Sequence, residues 1–158
     1  MIARLKKMLA GRAAGDIATT APDEALKLAA AALLMEAACM DGHADDQEIA
    51  TVTTLLSGHF ELSETEATEL TEAGRQAVAQ SVELYGFTRT IKDSFEHDDR
   101  VAMIEMLWRV AYADGHLHDY EANLVRRIAG LIYVPDRESG EARKRVLEQL
   151  DLTGVKAT

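Results

Sequence analysis

The stretch Asp114-Gly115-His116-Leu117-His118-Asp119-Tyr120-Glu121 decides the fold, because Asp41-Gly42-His43-Ala44-Asp45-Asp46-Gln47-Glu48 nearly repeats it earlier in the chain. At the same spacing Leu34 falls on Leu107, Ala38 on Ala111 and Val52 on Val125, so the apolar flanks recur with the acidic core. A polar elbow between two apolar runs, met twice, reads as a duplicated helix-turn-helix. The expectation is an all-α single domain of about six or seven helices, its two hairpins related by an approximate two-fold.

The bulk composition agrees. A chain of 158 residues is the size of one ordinary domain and can bury a real core. Hydrophobic residues at 47% and charged residues at 28% are globular values, and two prolines with few aromatics leave little material for a β-rich fold. The formal net charge of -10 repels phosphate backbones, and no large basic face offsets it, so a nucleic-acid partner is not expected. The single cysteine, Cys39, has no intramolecular partner and stands on an apolar run, which reads as an inert buried thiol in a reducing compartment. Glu36 and Asp41 cut the alanine-rich run below the roughly 18 residues a membrane span needs. A soluble, cytoplasmic protein is expected.

Residues 1–21 read as a basic amphipathic segment and linker, with Ile2, Leu5, Met8 and Leu9 opposed to Arg4, Lys6 and Lys7. Two roles fit it: weak contact with a membrane surface or partner, and docking on its own domain. The helical domain is expected over 22–152. Pro22, Asp23 and Glu24 make a first helical turn, and the helix they open runs to about Met40, where Gly42 stops it. Its leucines and alanines place it at the centre.

Asp45-x-x-Glu48 opens a second helix, expected to reach Gly58, and Ser63-x-x-Glu66 opens a third, with Gly74 a weak point inside it. Ser81 to Phe95 follows, with Leu84, Phe87, Ile91 and Phe95 on one stripe. Asp98 or Asp99 is expected to cap a fifth helix built on Met103, Met106, Leu107, Val110 and Ala111, ended by Gly115. A sixth runs from about Asp119 to Leu131. After Pro135 a last helix from Asp136 to Leu150 closes the domain with Val146, Leu147 and Leu150.

Two readings fit the elbows. In the first, glycine ends one helix and an acidic box begins the next, with Asp46, Glu48, Asp119 and Glu121 in first turns worth roughly 0.3–1 kcal/mol each. Asp41 and Asp114 fit less well, since each follows a last helical turn, where the dipole disfavours an anion. An Asx-turn accounts for both without a ligand. In the second reading a divalent cation relieves the crowding. The candidate ligands are Asp41, Asp45, Asp46 and Glu48 at the first elbow and Asp114, His116, His118, Asp119 and Glu121 at the second. Oxygen ligands suit calcium, magnesium or manganese, and the histidines extend the second elbow to zinc. The spacing is not that of an EF-hand loop. No phosphate-binding glycine loop, metalloprotease His-Glu-x-x-His or nucleophile elbow is present, so the chain is not expected to be an enzyme.

The repeated elbows, together with Leu107-Trp108-Arg109-Val110-Ala111-Tyr112-Ala113-Asp114-Gly115 and Tyr85-Gly86-Phe87-Thr88-Arg89, resemble the TerB-like family, named for a tellurite-resistance protein. The resemblance extends from about Leu26 to Leu150. It implies an all-helical domain with paired acidic elbows, and a cation-binding or cation-sensing module of stress physiology; the tellurite phenotype is not carried over. The alternative is a structural protein-protein interaction domain whose elbows are only caps, its working surface a groove between helices or the N-terminal segment.

Overall fold

The computed structural model describes residues 22–39, 44–80, 85–113 and 117–150. Among these, seven helices follow one another and no strand occurs: α1 Pro22–Ala38, α2 Asp46–Phe60, α3 Glu64–Gln80, α4 Tyr85–Ser94, α5 His97–Ala111, α6 Asp119–Leu131 and α7 Asp136–Gln149. The N-terminal segment, Asp41, Gly42, His43, Leu84, Asp114, Gly115 and His116 lie outside the described residues.

α1 is the axis of the molecule. Every residue from Leu28 to Met35 is buried, so the helix has no solvent face along its middle, as an apolar-all-round helix requires. It packs against α2, α3, α4 and α5 and touches α6. Its alanines let α3 come very close: a Cβ built on Gly74 would stand 2.8 Å from the carbonyl carbon and the Cβ of Ala31. Gly74, expected as a weak point of α3, is therefore the place where two helix backbones meet.

Capping chemistry sets most helix limits. The Asp45 carboxylate accepts from the Glu48 N–H (2.8 Å) and Glu48 accepts from the Asp45 N–H (3.2 Å), the expected box. Ser63 and Glu66 do the same for α3, at 3.1 and 3.0 Å. The end of α2 differs from expectation, for the helix passes Gly58 and stops where Glu61 turns left-handed (φ 55°). Ser57 fixes that point, since its carbonyl accepts the Glu61 and Leu62 N–H groups while its hydroxyl donates to the Leu62 carbonyl at 2.8 Å.

At α5 the expected cap by Asp98 or Asp99 is corrected. Glu96 holds the N-cap position without a side-chain cap bond, and both aspartates sit inside the first turn, where they meet the positive end of the helix dipole. The α5 stripe of Met103, Met106, Leu107, Val110 and Ala111 is buried as expected, as are Ile91 and Phe95, with Phe87 half-buried against them. Cys39 is half-buried rather than fully enclosed.

α7 lies along α5. The Trp108 indole N–H donates to the carbonyl (3.1 Å) and hydroxyl (3.2 Å) of Ser139, and the Arg143 guanidinium donates to the Tyr112 hydroxyl at 2.7 Å while standing 5.8 Å from both rings. Val146 and Leu147 are buried, but Leu150, expected with them, is 38% exposed beyond the last helical residue.

The helix limits keep the spacing of the sequence repeat. α1 ends at Ala38 and α5 at Ala111, each three residues before its elbow aspartate. α2 begins at Asp46 and α6 at Asp119, each five residues after it. Leu34 and Leu107, Ala38 and Ala111, and Val52 and Val125 are all buried, so equivalent positions serve the same core.

Candidate functional site

Each elbow is a joint between an apolar helix that ends in the core and a second helix whose first turn is acidic. At the first joint, Asp45 occupies the N-cap with extended backbone (φ -80°, ψ 171°), and its carboxylate and that of Glu48 each hold a backbone N–H. One oxygen of each is thereby used for capping. Asp46 stands exposed beside them in the first turn of α2.

The second joint uses different chemistry at the same positions. His118 takes the N-cap place (φ -92°, ψ 149°), its N–H donating to Glu121 Oε1 at 3.3 Å, while its carbonyl accepts from Glu121 and Ala122. The imidazole lies flat against the Tyr120 ring, with centroids 5.4 Å apart and planes 2° from parallel. Glu121 is buried, Asp119 is exposed, and Leu117 is driven into the core between the helices. Of the nine candidate ligands, six are thus described, and Asp41, Asp114 and His116 lie outside. Among the described residues no three His, Cys, Asp or Glu side chains converge in a way that could hold an ion.

The joints meet. The Gln47 side-chain amide, in the first turn of α2, donates to the Ala113 carbonyl at 2.7 Å, and Ala113 immediately precedes Asp114. The first turn of α2 and the residue two past the end of α5 therefore stand at one end of the molecule. Sequence reasoning singled out the acids and passed over Gln47. The signal was present in the repeat itself, since Gln47 aligns with Tyr120: where the copies differ, one residue bridges to the other elbow and the other stacks on His118.

Chemically, the described part of this end offers carboxylate oxygens, a tyrosine-stacked imidazole and a cross-elbow amide. It offers no nucleophile with an adjacent base, and no nest of N–H groups beyond the caps.

No curated protein and no solved structure matches the chain significantly. The model of one protein family, described as tellurite resistance protein TerB, matches residues 27–144, from the first turns of α1 into α7, and so takes in both elbows and all the helices between. On a match over most of its length, the chain belongs to the TerB family.

Proposed function

We propose that this protein is a non-enzymatic, divalent-cation-binding module in which the two elbows act as one cation-responsive end of the helical domain, in keeping with a role in stress physiology. The observation that carries the reading is the Gln47–Ala113 hydrogen bond, which ties the residue between Asp46 and Glu48 to the residue before Asp114. Carboxylates brought to one end of a protein of net charge -10 repel one another, and a hard cation is the cheapest neutraliser. Asp41 and Asp114 are the residues whose role separates ligand from cap, because each follows a helix C-terminus, where a carboxylate gains nothing from the helix dipole.

The double variant Asp41→Asn, Asp114→Asn is expected to keep its cation-free melting temperature nearly unchanged. It is expected to lose the stabilisation that calcium, manganese or zinc gives the wild type, about 2.7 kcal/mol at 100 times the dissociation constant. Differential scanning calorimetry with and without each ion decides it. A wild type that ignores every ion, or a double variant that responds equally, leaves the interaction-domain reading in its place. That second reading has its own support, since Asp45, Glu48 and Glu121 already accept backbone N–H groups as caps.

A further inference from the structure

Two residues other than glycine hold a left-handed backbone among the described residues: Glu61 (φ 55°) after α2 and Tyr133 (φ 62°) after α6. Both close a helix by the bonds a glycine would make at no steric cost. Behind Tyr133 the Val134 N–H reaches the Ala129 carbonyl at 2.8 Å, and behind Glu61 the Leu62 N–H reaches Ser57 at 3.0 Å. Both side chains are exposed, Tyr133 at 66%. Strain kept twice at exposed turns points to a use for the side chains.

The surroundings of the two turns are complementary. Tyr133 lies under the Lys92 ammonium, 5.2 Å from its ring centroid, and Lys92 shares one stripe of α4 with exposed Arg89 and Tyr85 by helical spacing. Lys92 also reaches exposed Asp93 at 3.7 Å, whereas Arg89 has no ion pair among the described residues. Tyr85 and Tyr133 are the two most exposed large hydrophobic side chains among the described residues, and tyrosine with arginine is the usual anchor of an interface. Around Glu61 the chain is acidic. Between Pro22 and Gln80 its only lysine and arginine are Lys27 and Arg75, both engaged within their own helices, with Asp23 and Glu72, while His59 in the last turn of α2 makes T-shaped ring contacts with Phe60 and Phe95. Glu61 and Glu64 therefore face solvent with no described cation paired to them.

We propose that the Tyr85–Arg89–Lys92–Tyr133 face of one copy docks on the Glu61–Glu64 turn of a second copy, head to tail. The occupant is a second copy because the charge that complements the aromatic and cationic face is carried by the chain itself, at a turn strained in the same way. Different surfaces meet in such a contact, so the assembly grows as an open chain or closes as a ring. This inference stands apart from the cation reading and uses none of its residues.

Sedimentation velocity of the full chain at physiological salt tests it, up to about 1 mM protein, where even a weak specific contact is half formed. The wild type is expected to rise above the 17.3 kDa monomer with concentration. Tyr133→Gly and Glu61→Gly are each expected to stay monomeric, with melting temperatures no lower than wild type, because glycine relieves each turn. Mixed in equal amounts they are expected to form dimers and stop there, since each brings one intact face. Arg89→Glu is expected to abolish association without altering a turn. A wild type monomeric throughout, variants that associate like wild type, or a mixture that stays monomeric would each overturn the proposal.

Discussion

At the scale of the residue, Gly74 shows how a packing contact reverses an intrinsic preference. Glycine inside a helix normally costs about 0.5–1 kcal/mol relative to alanine, so Gly74→Ala would ordinarily stabilise α3. Here the added methyl meets the Ala31 backbone at 2.8 Å, and α1 has no slack because it is buried on every side. Gly74→Ala is expected to destabilise by about 1–3 kcal/mol in urea unfolding, with the slope unchanged. Nothing near Gly74 in sequence announces this, since its neighbour lies two helices earlier. Local chemistry, by contrast, reads directly: the Ser63 backbone N–H, then its hydroxyl, hold the Glu66 carboxyl below its ordinary 4.5. A depressed carboxyl gives stability that is present above 4.5 and lost as pH falls through the folded value. An NMR titration of Glu66 is expected to place its midpoint below 4.5 in the wild type. In Ser63→Ala it is expected to return only part of the way, because the backbone donor remains.

At the scale of the element, the limits that sequence reveals are those set by short-range hydrogen bonds. Asp45 with Glu48 and Ser63 with Glu66 open their helices where the spacing predicts, and α6 runs from Asp119 to Leu131 as expected. The end of α2 was hidden because Ser57, not Gly58, organises the turn through its hydroxyl and carbonyl. The start of α5 was hidden because an acidic first turn and an acidic cap look alike in sequence, and only backbone geometry separates them. α1 carries its own opening signals, with Asp23 and Glu24 in its first turn and Lys27 paired to Asp23 at 3.1 Å. A chain beginning at Thr19 is therefore expected to melt within a few degrees of the full chain, by circular dichroism. A large drop would instead assign Ile2, Leu5 and Leu9 to the core.

At the scale of the whole molecule, the repeat predicted where the helices break but not that the first turn of α2 reaches the residue two past the end of α5. Capping belongs to one hairpin and repeats with it, whereas the Gln47–Ala113 bond crosses from one copy to the other and breaks the correspondence with Tyr120. The docking of α7 was hidden for the same reason, since Trp108 and Ser139 find each other across the chain. The central place of α1 has a consequence for biosynthesis. α1 is the first helix of the domain to leave the ribosome, yet α5 and α6, which complete its enclosure, end only at Ala111 and Leu131. At about 5–20 residues per second, the run from Leu28 to Met35 waits roughly 5–20 s for its last neighbours. During that interval the most apolar segment of the nascent chain has only the cover that α2, α3 and α4 provide, and whatever shields its remaining face is part of how this domain is made.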